Sequence, residues 1–334
     1  MKAMRLGSVI PLLSFLVFAL GLAPHGLASG QNANGKSPGV EPHTSDSGLY
    51  LEASLDRLKK EVPILTGLRP DAGQESLPVT LQGVARAIEE MVPRLPDLVS
   101  REDVQRLQNE AGLAAPRRLL SLTGPRTGPV TDPLTGRKAQ TEQFRYLILC
   151  HHPAPGVTTI EESRTDSKGR PINSIKDGAA ARGSGFAYQW LLFSTANQAE
   201  FHFRYLGEQD IDDRKTSVIA FAQIPEQVKV PALFQSAGKQ AAYFYQGILW
   251  VDRATSHIVL LRTDLLAPLK SLHLQQLTTE LRFRAVDIRD MDATFWLPSE
   301  VHISIDQGNA VIEEDHRYSD YHLYHATARI LPSP

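Results

Sequence analysis

The chain has 334 residues, of which 42% are hydrophobic and 22% charged, the composition of an ordinary globular protein. Its 35 Lys and Arg residues nearly balance its 37 Asp and Glu residues. Because no basic block appears either, we expect no nucleic-acid partner. Cys150 is the single cysteine, which excludes an intrachain disulfide.

The N-terminal segment has the parts of a signal peptide. Lys2 and Arg5 give a basic start, Leu6–Ala23 is almost entirely apolar, and small residues follow. We therefore predict a signal peptide at residues 1–29 and a periplasmic or extracellular protein that does not span the membrane after cleavage. An uncleaved anchor is the alternative, because the run approaches the roughly 20 residues that cross a bilayer. A proline inside the run and another after it favour cleavage, and no cysteine follows that would accept a lipid.

The next segments predict a leader and a small helical subdomain. Residues 30–48 are rich in Gly, Ser, Pro and Asn, which predicts a disordered leader. Residues 49–115 show the apolar spacing of helices. Ser100, with Asp103 three residues later, resembles a shortened capping box and predicts a third helix that ends at Gly112. The clearest helical stripe consists of Leu81, Val84, Ala85, Ile88, Met91 and Val92.

The C-terminal part changes to the period of β-strands. Residues 116–140 contain many Pro and Gly residues and predict a linker, residues 141–326 predict a β domain, and residues 327–334 predict a short tail. Successive strands follow one another without long helices between them, which favours antiparallel pairing. The predicted fold is therefore α+β: a curved, half-barrel-like antiparallel sheet of about nine strands with a small N-terminal helical subdomain.

Several short sequence motifs, which follow one another along the chain in the same order as in the family, resemble a family of uncharacterised exported bacterial proteins. The resemblance covers roughly residues 50–325 and implies no known activity. The words are Thr195–Gln198, Phe203–Gly207, Val218–Gln223, Gln246–Asp252, Leu261–Pro268 and His316–Tyr321.

The C-terminal two thirds is also similar to the half-barrel of periplasmic lipoprotein carriers. The shared feature is the word Gln246–Asp252 (QGILWVD), followed by a hairpin and then Arg262. This resemblance implies a curved antiparallel sheet that wraps helices and encloses an apolar cavity. No residue of the carriers' binding machinery has a counterpart that can be assigned in this chain.

Aromatic and aliphatic residues of the predicted strands are candidates to line a ligand pocket. Alternating positions such as those of Glu200–Leu206 point to one face of a strand. The same residues also suit an ordinary sheet core, and a strongly curved sheet makes the two roles compatible. The pocket candidates are Phe201, Phe203, Tyr205, Tyr243, Tyr245, Trp250, Leu281 and Phe283.

Two groups of residues are candidates for a metal site. Cys150 and His152 are two apart on a strand and would share a face, and thiolate and imidazole both bind Zn²⁺ or Cu²⁺. His316, Asp320 and His322 share a face by parity, and we expect this to be a polar outward face if no metal binds. The sequence contains no nucleotide-binding motif, and we expect no cofactor.

These observations lead to one preferred function and two alternatives. The preferred hypothesis is a non-enzymatic binding or carrier module for a hydrophobic or lipid-like ligand, because the predicted exported sheet has aromatic inward positions and no catalytic word. The first alternative is a metal-assisted hydrolase that uses the Cys150 or His316 groups. The second is a structural or interaction protein of the envelope, in which the N-terminal helices contact a partner. The ligand and the oligomeric state remain open.

Overall fold

The computed structural model describes residues 49–110, 138–154, 157–172, 180–182, 186–187, 189–236, 239–289, 291–308 and 310–325. The predicted signal peptide, leader and C-terminal tail lie outside these residues, as does most of the predicted linker. The α-helices are α1 (Leu49–Glu52), α2 (Leu55–Glu61) and α3 (Ser76–Met91). Short 3-10 helices span Pro63–Gly67, Val92–Arg94, Gln189–Phe193, Gln198–Glu200 and Lys270–Leu272.

Most of the described chain forms β-strands. In chain order they are β1 (Arg69–Pro70), β2 (Leu98–Glu110), β3 (Lys138–Ala154), β4 (Val157–Thr165), β5 (Ala180–Arg182), β6 (Phe201–Ile211), β7 (Arg214–Gln223), β8 (Ala232–Ser236), β9 (Lys239–Tyr243), β10 (Tyr245–Asp252), β11 (Ile258–Leu265), β12 (Gln276–Asp287), β13 (Thr294–Asp306) and β14 (Ala310–Leu323).

The strands form one large and one small antiparallel sheet. The large sheet has eleven strands in the order β1-β6-β7-β10-β11-β12-β13-β14-β2-β3-β4, and it is not closed, since β1 and β4 are its two edges. The small sheet has the order β5-β8-β9. The predicted fold class is confirmed: a curved antiparallel sheet with a small helical part. The large sheet has more strands than the nine expected.

The register separates the large sheet into two faces. Leu249, Leu261 and Leu281 are direct cross-strand partners and therefore point to the same side, which we call the inner face. Ile248, Arg262 and Glu280 form the neighbouring row and point to the other side, the outer face. The inner face holds most of the apolar core, whereas the outer face mixes apolar with charged side chains.

The N-terminal segment is fixed on the outer face by buried polar side chains. Tyr50 Oη of α1 donates to Asp264 Oδ2 at 2.8 Å, and Asp264 also forms an ion pair with Arg262, with 2.8 Å between Nε and Oδ2. Arg204 Nη1 donates to Leu51 O and Ala53 O at 3.1 and 2.8 Å. These bonds satisfy one carbonyl group of α1 and one directly after it, and α1, with only four residues, would be unstable alone.

Helix α3 packs on the inner face. Its buried residues Val84, Ala85, Ile88 and Met91 follow helical spacing, as predicted from the sequence. Gly83, at the middle of α3, lies against the loop between β10 and β11, where a Cβ added at Gly83 would be 2.6 Å from Ser256 Oγ. Glycine lowers helix stability by about 1 kcal/mol relative to alanine, so its presence here is explained by this close approach.

The predicted third helix is wrong, because Ser100 to Glu110 lies in strand β2. The residues of β2 that point inward are Leu98, Ser100, Glu102, Val104 and Arg106, and all of them are buried. Three of these five side chains are polar or charged, so the hydrophobic alternation that identifies a half-buried strand is missing from the sequence. Strand β2 and the two-residue edge strand β1 therefore lie inside the predicted helical subdomain (49–115).

Among the residues that the structure describes, no helix has both the length and the apolar character needed to cross a membrane.

Candidate functional site

A cleft lies between α3 and one end of the inner face. It contains about 260 Å³ of space not filled by protein atoms, part of it open to solvent. The enclosed part has room for about one water molecule. Its lining residues come from α3, the 3-10 helix at Gln189–Phe193, the β10–β11 connection and β13: Val84, Ala87, Ile88, Met91, Trp190, Ser256, His257, Ile258 and Trp296.

Two polar atoms of the cleft residues have no hydrogen-bond partner. Trp190 is only 4% exposed, and its Nε1 finds no acceptor among the described residues. The Nδ1 atom of His257 is also buried and makes no hydrogen bond of good geometry within the described chain, although the ring is close enough to the Thr255 backbone for that contact to raise its pKa. A buried polar group without a partner costs about 1–3 kcal/mol, so nearly all such groups in folded proteins are satisfied. The lining of the cleft is mostly apolar, as in many ligand sites, and both of these nitrogens are buried in its walls.

Three side chains stack beside β13, and two of them, His257 and Trp296, line the cleft. The His257 ring lies parallel to the Trp296 ring, with 4.8 Å between centroids and 18° between planes. The Arg214 guanidinium lies 4.9 Å from the centroid of the Trp296 ring and pairs with Asp252 at 2.7 Å from Nη1 to Oδ2. Burial lowers the pKa of His257 below its ordinary value, although the Asp252 carboxylate opposes the shift. The imidazole at the cleft is therefore neutral at pH 7.

The predicted ligand-pocket residues do not form one group. Phe201, Phe203, Tyr205, Tyr245, Leu281 and Phe283 belong to strands β6, β10 and β12 and point to the inner face. Tyr243 lies in the small sheet, with its ring centroid 6.5 Å from that of Tyr245. Trp250 points to the outer face, where its Nε1 donates to Gln209 Oε1 at 3.0 Å. Parity explains this separation, because position 250 is the outward neighbour of the inward Leu249.

Aromatic rings fill the inner face near β6 and β7. The Phe193 ring lies 5.5 Å from that of Phe201 and 5.0 Å from that of Phe221, both measured between centroids. These distances are typical of core aromatic pairs. Phe203 and Tyr245 remain partly exposed. A ligand role for this cluster stays a prediction.

A buried ionic cluster occupies the inner face where β14, β2, β3 and β4 lie. Glu102 is completely buried and accepts hydrogen bonds from Arg164 Nη2 at 2.9 Å, His316 Nδ1 at 2.8 Å and Tyr318 Oη at 2.7 Å. Burial by itself raises the pKa of Glu102, but Arg164 and His316 outweigh it and hold the pKa at about 2. His316 Nε2 lies 3.3 Å from Glu314 Oε2, and these two carboxylates raise the pKa of His316 despite its burial.

Another carboxyl group of this cluster, that of Glu162, has a raised pKa instead of a lowered one. Burial raises the pKa of Glu162 to about 8, although Arg164 opposes the shift. Tyr146 Oη donates to Glu162 Oε2, and the Ala187 N–H donates to Oε1 at 3.0 Å. The cluster thus contains two ionised carboxyl groups, Glu102 and Glu314, and one protonated carboxyl group, Glu162, at pH 7.

The structure does not bring the predicted metal ligands together. Burial raises the pKa of the Cys150 thiol to about 12, and His152 Nδ1 lies 3.1 Å from Thr158 Oγ1. The predicted common face of His316 and His322 is wrong. His316 pairs with Val104 and His322 with Val99, five residues away on β2, so the two histidines point to opposite faces. Asp320 has φ 55° within a register shift, and this bulge breaks the parity.

His316 was also expected to point outward if it binds no metal, but it is only 4% exposed, on the inner face. In the described ranges, no three His, Cys, Asp or Glu side chains are placed to hold a metal ion.

Sequence patterns did not reveal Trp190, His257 or Glu102 as site residues. Trp190 lies in an apolar run that suits a core, and His257 follows a turn-like sequence. Glu102 was assigned to a helix. Their roles depend on contacts between residues that are more than 60 positions apart, and no short-range pattern encodes such contacts.

Comparisons with known proteins found similar structures but no related sequence. No family model matches the chain. No curated protein matches it either. A DUF1329 family protein from Desulfovibrio piger is 11% identical, with 75% of this chain and 94% of that chain covered and a TM-score of 0.36.

Two further solved structures are also similar to this chain. A LolA superfamily protein from Nitrosomonas europaea is 13% identical, over 74% of this chain and 94% of that chain, with a TM-score of 0.29. A putative outer membrane lipoprotein-sorting protein domain from Vibrio parahaemolyticus is 14% identical, over 72% and 92%, with a TM-score of 0.31.

Proposed function

We propose that this chain is a periplasmic binding or carrier module for a hydrophobic or lipid-like ligand, which enters between α3 and the inner face of the sheet. The observation that carries the proposal is the cleft between α3 and the inner face, whose lining is mostly hydrophobic and aromatic. The basic and apolar pattern of residues 1–29 supports export.

Ligand entry requires α3 to move. The enclosed space has room for about one water molecule, whereas an acyl chain needs several times more. The α3 face toward the sheet is mostly apolar, through Val84, Ile88 and Met91. Apolar contacts have no fixed geometry, so a ligand chain can replace them at little cost. Helix α3 therefore acts as a lid that exchanges its contacts for those of the ligand.

A reversible covalent lock tests this proposal. The Cβ position at Gly83 is 3.2 Å from Ser256 Cβ, close to the separation of about 3.8 Å in disulfides, so G83C with S256C should form a bridge after a small shift. The pair is made in a C150A background to avoid wrong pairing. Native mass spectrometry then measures binding from a bacterial lipid extract.

We expect the oxidised protein to bind little lipid and the same protein to bind after reduction. The single variants G83C and S256C, treated with the same oxidant, are the matched controls and should bind in both states. Equal binding by the oxidised and reduced double variant would show that ligands do not enter beneath α3. Absence of binding by the wild-type chain would reject the carrier function itself.

A further inference from the structure

The buried ionic cluster at β14, β2, β3 and β4 holds one more cation than it holds ionised carboxylates. We infer that this surplus charge makes Arg164 the binding point for an ionised acid group, a carboxylate or a phosphate, at the head of an amphiphilic ligand. The inference rests on the proposed function, because it names the headgroup of the ligand that the carrier binds.

The hydrogen bonds of the cluster fix its charge balance. Glu102 and Glu314 each face one nitrogen of the His316 ring, at 2.8 Å from Nδ1 and 3.3 Å from Nε2, so both nitrogens donate and the imidazole is positive. Glu162 is neutral at pH 7, because burial raises its pKa to about 8. The cations are therefore Arg106, Arg164 and His316, and the anions are Glu102 and Glu314.

Arg164 is the accessible cation of the cluster. Of its side chain 29% is exposed, compared with 8% for Arg106 and 4% for His316. Its Nε and Nη2 donate to Glu102 at 2.5 and 2.9 Å, whereas its Nη1 has no partner among the described residues. Guanidinium N–H groups suit the oxygens of a carboxylate or a phosphate. The surplus charge is therefore available to an anion on the inner face.

Aromatic rings next to Arg164 give this position apolar surroundings. The guanidinium carbon lies 5.3 Å from the ring centroid of Tyr146 and 5.6 Å from that of Phe186. Phe186 precedes Trp190, which lines the cleft, by four residues, so their Cα atoms are at most about 14 Å apart. The same short segment therefore contacts both the headgroup position and the cleft that takes the apolar part of the ligand.

Displacement of a fluorescent apolar dye by laurate and by dodecanol, which have the same chain length, tests this inference. Laurate is ionised at pH 7, whereas dodecanol is uncharged. We expect laurate to bind about ten-fold more tightly, the effect of one hydrogen bond between charged groups. Sulfate, titrated alone by calorimetry over the same concentrations, should not bind, because it lacks the apolar chain.

The double variant R164Q/E102Q removes Arg164 together with the carboxylate that it pairs with, so neither charge is left buried without its partner. Its preference for laurate over dodecanol should be about ten-fold smaller than that of the wild type. The matched control is R145Q, because Arg145 is exposed and neighbours the inward Tyr146, so it points to the opposite face. R145Q should leave the preference unchanged.

A pH profile gives a second measurement that does not depend on the folding of the double variant. Above about pH 8 Glu162 loses its proton, and its carboxylate cancels the surplus charge beside Arg164. The preference for laurate should therefore fall from about pH 7 to 9 in the wild type and fall less in E162Q. E161Q, the neighbouring substitution on the outer face, should follow the wild type. The groups that face Glu162 are Arg164 on its own strand, Tyr146 on β3, Glu102 on β2 and Tyr321 on β14.

Equal binding of laurate and dodecanol by the wild type would overturn the inference and leave the carrier function intact. So would an unchanged preference in the folded double variant, an equally steep pH profile in E162Q, or binding of sulfate as tight as that of laurate, which would indicate a site for a free anion. If neither laurate nor dodecanol displaces the dye, the proposed function fails together with the inference.

Discussion

The contact between Gly83 of α3 and Ser256 of the β10–β11 loop allows the position of the helix on the sheet to be tested. Replacing Gly83 by Ala should stabilise the helix by about 1 kcal/mol. The new Cβ, however, would lie 2.6 Å from Ser256 Oγ and 3.2 Å from Ser256 Cβ, both too close for ordinary contact. Overpacking of this kind costs about 1–3 kcal/mol. We therefore expect G83A alone to change the free energy of unfolding by between zero and about −2 kcal/mol.

The result should differ when Ser256 is changed first. S256G removes both atoms that the new Cβ would meet, and it places glycine at a position with φ 59° that favours glycine. In the S256G background, G83A should therefore raise the free energy of unfolding by about 1 kcal/mol. The two changes are then coupled by about 1–3 kcal/mol, and the double variant is more stable than the wild type.

Urea unfolding of the wild type, the two single variants and the double variant measures the coupling directly. V79A provides the control, because Val79 lies on the same helix but is 71% exposed. V79A should show no coupling to S256G. A coupling energy below about 0.5 kcal/mol between G83A and S256G would mean that α3 does not approach the loop as described.

Three further predictions concern the buried polar groups. E102Q removes the carboxylate that pairs with Arg164. This should lower the free energy of unfolding, measured with urea at pH 7, by about 3–5 kcal/mol. A change below about 1 kcal/mol would contradict a buried ion pair. The pKa of Glu162 in the folded protein is about 8, above its ordinary value. Between about pH 5 and 8 the folded state therefore keeps a proton that the unfolded chain releases. The free energy of unfolding should fall as the pH rises through this range. E162Q should abolish this part of the slope and stabilise the protein above pH 7, whereas an unchanged slope would place the titration elsewhere. Y50F removes the bond to Asp264 and should cost about 2 kcal/mol, measured by the shift of the urea midpoint; equal stability would mean that this bond does not hold the N-terminal segment.

The strands that could be predicted are those whose inner side is apolar. Strands β6 and β12 and the C-terminal half of β13 alternate large apolar residues with polar ones, so the side-chain period identified them, whereas β10 was recognised from a continuous apolar run. Their antiparallel order followed from the short connections. Helix α3 was predicted for the same reason, since its apolar stripe repeats every three or four residues.

The candidate site could not be predicted from local patterns. Strand β2 was misassigned because its inward positions include Glu102 and Arg106, which are buried only because residues of β4 and β14 neutralise them. The bulge at Asp320 turned His322 away from His316, and a backbone irregularity of this kind leaves no mark in the hydrophobic pattern.

The amino-acid sequence by itself determined the class of the fold, because hydrophobic periodicity is a property of neighbouring residues and needs no knowledge of the partner strands. Only the tertiary structure decided which charges are buried together and which side chains of distant segments line the cleft, as for Trp190 and His257. These features depend on the sheet register and on the seating of α3, and both are set by packing between segments far apart in the chain.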